Sequence, residues 1–363
     1  MFMRYKKKLI VIVLLAVLLS SIQYALPAHS KLVAFYDVYV FHPFQSIRNI
    51  FFSLFPFSVG DVLYLLGGVA LTGLLVKWVR HIVHFRAEKH ELGTSMLHTL
   101  ILTGSIYILF ILGWGGNYYK SSLSSFWKID TMKKVSDSSL IAFDSYLIEK
   151  LNEYAPAYEP IGFKEIDRRA RNYFKEHTDS RTKAYGVKVK PSIFGFALQH
   201  LGIQGYYNPF TGEAQVNKHL PSFMLPFVIC HEMAHQSGIA KEDDANLLSY
   251  AVSTIPEDPV FRYSAYFNLW LYTHARLKLS DSALANSLKK QLNQTTLAHL
   301  DTLRKIRKQY AGDISDYSGA LYDGYLKLHH QKDGIESYNK VAFSAWAWEQ
   351  KVKKQPDFII PLP

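Results

Sequence analysis

LPSFMLPFVICHEMAHQSGIAKEDDAN, residues 220–246, joins an apolar helix to a metal-ligand pattern. The run from Phe223 to Ile229 leads into His231, Glu232 and His235 in HExxH spacing, and Gly238 offers a stop for the helix. Helical residues four apart share a face, with Cβ atoms about 5–6 Å apart, so both imidazoles can reach one ion while Glu232 projects beside it. HExxH also arises by chance on surface helices. The apolar approach instead predicts a buried helix, where two histidines and a glutamate are costly without a compensating ion. Zinc at a catalytic site takes three protein ligands and a water, whose pKa it lowers towards about 7, and a neighbouring carboxylate then acts as general base. That role falls to Glu232, and the expected cofactor is Zn2+.

A third ligand must come from outside the motif, and Glu242, Asp243 and Asp244 stand at the start of the next predicted helix. The same acids would suit a helix N-terminus with no ligand role, through favourable interaction with the macrodipole. The ExxAN arrangement from Glu242 to Asn246 resembles the third-ligand segment of gluzincin-type peptidases. The resemblance implies Glu242 as the ligand, with Asp243 and Asp244 as candidates to orient a ligand histidine. Glu242 follows His235 by only seven residues, where gluzincins insert a longer connection, so Asp243 and Asp244 stay open as alternatives. Cys230 adjoins a ligand, but adjacent helical positions point about 100° apart, and it reads as a small core residue. A donor for a developing oxyanion could be Tyr206, Tyr207, Tyr263 or Tyr266, and the sequence selects none of them.

Before this segment, IQGYYNPFTGEAQVN at 203–217 sets β-prone residues around an Asn208-Pro209 turn and predicts a short hairpin or edge strand. In HExxH peptidases an edge strand above the metal helix commonly pairs with an extended substrate; a simple structural hairpin is the plainer reading. Residues 121–190 follow a helical pattern around Leu140, Phe143, Leu147 and Leu151, broken near Pro156 and Pro160. After 240 the chain reads as helices at 241–254, 258–279, 281–310, 314–331 and 336–352.

Nearer the N-terminus lie three apolar runs, near 9–26, 59–76 and 96–113, each close to the roughly 20 residues that span a bilayer. The first is preceded by Arg4, Lys6, Lys7 and Lys8, and the expected loop at 77–95 contains Lys77, Arg80, Arg86 and Lys89. Residues 27–58 offer only Lys31 and Arg48. The positive-inside rule then puts the N-terminus and the 77–95 loop in the cytoplasm and everything after about 117 outside it. Lys120, Lys128, Lys133 and Lys134 sit on that outer side, which long translocated domains tolerate. A cleavable signal peptide ending near Ala25 and Ala28 is the alternative for the first run, and it leaves the orientation unchanged. Asp61 is expected at headgroup depth, and Trp114, Tyr118 and Tyr119 in the interfacial aromatic belt.

Apolar residues make up 49% of the 363 and crowd the first third. The net charge of +11 is dispersed rather than gathered into a stripe, which argues against a nucleic-acid partner. With Cys230 the single cysteine, an intrachain disulfide and a four-cysteine zinc cluster are both excluded.

The expected fold is mainly α. A membrane region at 1–116 precedes a mostly helical, zincin-like domain at 117–363 with a small β-hairpin or edge sheet. The stretches WGGNYYK, GYYNPFTGEAQVN, LPSFMLPFVICHEMAHQSGIAKEDDAN and FRYSAY resemble a bacterial family catalogued as a domain of unknown function (DUF thirty-eight-ten). That resemblance implies three N-terminal membrane helices and an outward HExxH domain. The expectation is a zinc metallopeptidase in the bacterial cytoplasmic membrane, facing the periplasm or exterior and acting on peptides or envelope proteins. His231, His235 and Glu242 would be its ligands and Glu232 its base. The alternatives are a metal-stabilised sensing or binding module without catalysis, and a scaffold with no metal.

Overall fold

The computed structural model describes residues 2–129, 137–179, 186–310, 338–351 and 359–363. Lys133, Lys134 and the expected helix at 314–331 lie outside the described residues. The chain divides into two compact units, Met1–Lys120 with Pro209–Thr211, and Ser121–Asn208 with Gly212–Pro363.

The first unit is built on three long helices: α1 (Phe2–Ala28), α4 (Val59–Val83) and α5 (Phe85–Gly113). Their apolar segments, Tyr5–Ala28, Val59–Val83 and Phe85–Gly113, are long and apolar enough to cross a membrane. The basic stretch at 77–95 is not the loop expected. Both helices continue through it, broken only at His84, with a non-helical kink at Glu88 where His81 Nδ1 lies 2.7 Å from the Glu88 carboxylate. Polar residues at helix ends interrupt the apolar signal without ending the helix. Between α1 and α4, α2 (Ser30–Tyr36), a π-helical turn (Asp37–Phe41) and α3 (His42–Phe52) replace what reads as linker. Asp61 is buried in the first turn of α4, which Ser58 caps by accepting the Asp61 N–H at 3.0 Å. Trp114 and Tyr118 are buried rather than placed on a surface belt, and Trp114 packs 6.1 Å from the Phe41 ring.

The second unit is mostly helical around a three-stranded sheet. Its helices are α6 (Leu123–Phe126), α7 (Asp137–Tyr154), α8 (Phe163–His177), α9 (Gly195–Leu201), α10 (Leu225–Gln236), α11 (Glu242–Thr254), α12 (Pro259–Ser280), α13 (Ser282–Lys289), α14 (Gln294–Tyr310) and α15 (Tyr338–Lys351). The segment expected as one helix at 281–310 is thus two, divided at 290–293, where Asn293 accepts the Thr296 N–H and starts the second. The hairpin is present as β2 (Gly205–Tyr207) antiparallel to β3 (Ala214–Val216), with Gly205 opposite Val216. A strand that the sequence pattern did not reveal, β1 (Val189–Pro191), pairs parallel with β3, giving the order β1-β3-β2 with β2 at an edge.

Helix α10 is apolar on almost every side, as a helix enclosed by a core must be, and its residues from Leu225 to Cys230 are all buried. Val189, Ala214 and Val216 of the sheet belong to the same core as α10, α11 and α12. The last helix is fixed through a buried carboxylate. Glu349 of α15 accepts hydroxyl bonds from Tyr146 of α7 and Tyr250 of α11, each at 2.8 Å.

Candidate metal centre

Helix α10 ends as its sequence directs. Gly238 takes a left-handed φ of 88°, its N–H bonds to His235 O at 2.9 Å, and Ile239 N–H bonds to Ala234 O at 3.2 Å, the paired bonds of a Schellman turn. Gln236 fastens this end to the strands, donating to Gly212 O at 2.9 Å and accepting the Lys188 N–H at 2.6 Å. Lys241 is extended and α11 begins at Glu242. The seven-residue connection is therefore long enough to return a carboxylate to the HExxH face.

There His231 Nε2 lies 3.2 Å from Glu242 Oε2, and His235 Nε2 lies 3.5 Å from Glu242 Oε1. One donor atom from each of the three residues falls within 4.8 Å of the others. Ligands at about 2.0–2.1 Å from a tetrahedral zinc ion stand about 3.3 Å apart, so this donor set fits that ion. The rings are perpendicular, with centroids 4.7 Å apart. Each also has its second nitrogen held: His231 Nδ1 lies 2.9 Å from Asn246 Oδ1, and His235 Nδ1 lies 2.7 Å from Ile239 O. Those bonds turn both Nε2 atoms towards the common point, as outer partners of metal-binding histidines do.

Asp244 does not take the orienting role. Asp244 is buried away from the histidines and accepts the Leu123 N–H at 2.7 Å, while burial and the neighbouring Asp243 push its carboxyl up to about 8. Asn246, one helical turn after Glu242, is the orienting residue instead. Cys230 is fully buried outside the donor cluster, and burial pushes its thiol up to about 12. Among the tyrosines, Tyr263 OH is engaged with His299 Nδ1 at 2.7 Å, Tyr266 packs with Tyr146, Tyr154 and Tyr250, and Tyr206 OH lies 3.0 Å from Ser192 Oγ. Tyr207 is on edge strand β2. Tyr272, unmarked by any motif, is the tyrosine whose hydroxyl is raised by burial and by the Glu242 charge.

Glu232 is buried, and its Oε2 has no hydrogen-bond partner among the described residues. Burial pushes this carboxyl up to about 7 against the opposing pull of His231 and His235. An orphaned carboxylate oxygen beside three clustered donors is what a site built to receive a cation and a water presents. For Glu242, burial is outweighed by His235 and His231, which hold it well below the usual carboxylate range. For His235, burial is likewise outweighed, chiefly by Glu242, and its pKa rises to about 9.

Edge strand β2 crosses directly over the carboxylate. A Cβ on Gly205 would stand 2.5 Å from Glu232 Oε1 and 2.8 Å from Gln215 O, so only glycine lets the strand come this close. Gly205→Ala is expected to destabilise the domain by about 1–3 kcal/mol through overpacking, read as a lower urea midpoint at unchanged slope. A midpoint equal to wild type would refute the close approach.

A helical domain whose HExxH helix and following acidic helix share one cluster, joined to three membrane-length helices, defines the class of protein. The chain belongs to the family described as protein of unknown function (DUF3810), whose model matches residues 36–343. No match was found among curated proteins or solved structures.

Proposed function

We propose that this protein is a membrane-anchored zinc peptidase, with His231, His235 and Glu242 as ligands and Glu232 as general base. The observation that carries the reading is the convergence of three donors beside a buried carboxylate oxygen that lacks a partner. A purely structural zinc site closes with four protein ligands, whereas three ligands leave a position for chemistry. That favours catalysis over the metal-stabilised sensing module. Bound there, zinc would acidify a water and polarise a substrate carbonyl. Glu232, with a pKa of about 7, is suited to take a proton at Oε2 and return it to a leaving amine. Strand β2 supplies an edge along which an extended peptide can align. On this reading the basic flanks orient the chain by the positive-inside rule with this domain outside a bacterial cytoplasmic membrane, where its substrates would be peptides or envelope proteins. The test is elemental analysis of the purified full chain together with digestion of an unbiased peptide library. One zinc per chain and a reproducible cleavage pattern are expected, and the absence of stoichiometric metal would overturn the reading.

Zinc uptake is also expected to release a proton near pH 7.5, because His235, at about 9, is protonated in the metal-free site and must be neutral to ligate. The folded value lies above the ordinary 6.5. This proton therefore stabilises the metal-free fold fully below about pH 6.5, and the contribution disappears as pH rises through about 9. Calorimetry in buffers of different ionisation enthalpy measures the release. Binding heats independent of buffer would contradict it.

A further inference from the structure

We propose that residues 30–55, between the first two membrane-length helices, lie in the bilayer interface with one face against lipid acyl chains. The polarity of this segment is reversed. Gln45 and Arg48 are 0% and 3% exposed and Asp37 is equally enclosed, while Ile50 and Leu54 are 69% and 75% exposed, with Tyr39, Ile47 and Phe51 also outward. A helix facing water hides its apolar stripe and shows its charges. In α3 and in the π-helical turn before it, charged and polar groups are what is hidden.

The hidden side is clasped to the end of the third long helix. Arg48 Nη2 donates to Gln45 Oε1 at 2.6 Å and to the carbonyl of Gly113, the last residue of α5, at 3.1 Å. Asp37 pairs with Lys120 and lies 3.3 Å from His42 Nε2. These bonds fix the π-helical turn and α3 at the level where a membrane-length helix terminates. That is the depth at which amphipathic helices bury an apolar face about 5–10 Å into the headgroup and acyl boundary. Lipid is the occupant because this segment packs against α1 and α5, whose own outward surfaces are exposed and apolar over a membrane-spanning length.

Cys230 is fully buried, so single cysteines placed by Ile47→Cys, Ile50→Cys and Leu54→Cys can carry a polarity-sensitive nitrobenzoxadiazole label. The full chain is reconstituted in phosphatidylcholine–phosphatidylglycerol vesicles, with Lys305→Cys as the exposed control. The three interface labels are expected to shift to the blue and to be quenched more by nitroxide near the headgroup than at the chain end. They should also lose the iodide quenching shown by the control. Iodide quenching equal to the control would overturn the proposal. So would shielding without nitroxide quenching that vanishes on dilution in lipid, since a second copy of the chain would then cover the face. Three separate positions keep the outcome independent of any one substitution.

Discussion

Glu232→Gln is expected to lower peptide hydrolysis by about 10²–10⁴-fold while leaving the metal bound, since the amide keeps the shape of the side chain but cannot accept the proton. The contrast is sharp because Glu232 stands outside the donor cluster formed by His231, His235 and Glu242. The loss should fall on kcat and kcat/KM together, the pattern of an interaction made only in the transition state. The acidic limb of the wild-type rate profile should vanish with it, because that limb reports the proton on Glu232. Equal turnover by wild type and variant would eliminate Glu232 as base and return the site to a structural role.

Glu242→Ala is expected to do the reverse, removing the metal and with it the stability that metal confers. The buried His235 and the half-buried His231 would lose their shared carboxylate, and breaking a buried charged pair costs about 3–5 kcal/mol. A chelator should lower the melting temperature of wild type and leave the variant unmoved, because a ligand bound only by the folded state stabilises by mass action. The metal-free variant should also lose the fall in stability between about pH 6.5 and 9, since Glu242 is what raises His235 above its ordinary value. Asn246→Ala, which frees His231 Nδ1 without touching a ligand atom, should weaken metal affinity by about 10–100-fold. Retention of one metal per chain by Glu242→Ala would transfer the third-ligand role to another residue.

How far these features could be read from the sequence depended on whether their signal was local. The three long helices were legible because an apolar run of bilayer length is rare outside a membrane, yet their polar extensions through 77–95 were not, since hydropathy marks lipid and not helix. His231, Glu232 and His235 sit within one turn and a half of helix, and their spacing alone brings them to one face. An acid from the next helix followed because Gly238 ends one helix and Glu242, Asp243 and Asp244 begin the next, while the choice of Glu242 among the three came from the resemblance of ExxAN to the gluzincin third-ligand segment. The role expected of Asp244 was misplaced: its carboxylate is taken by the Leu123 N–H, a partner 121 positions away that no local pattern announces. Gly205 and Tyr272 were missed for the same reason, as each meets the site only through tertiary packing. Strand β1 is three residues long and gains its identity solely from β3. The inverted polarity of α3 was hidden by its length, since eleven residues with one arginine read equally well as linker.

The carboxylate of Glu349, shared between Tyr146 and Tyr250, makes the helix of the metal cluster depend on a segment far downstream in the chain. A nascent chain that has emerged only to residue 310 already contains every donor of the metal cluster. The helix bearing Glu242 and Asn246 still lacks the anchor on which Tyr250 rests. Docking of residues 338–351 therefore completes the hydrogen bonding of the helix that carries Glu242 and Asn246.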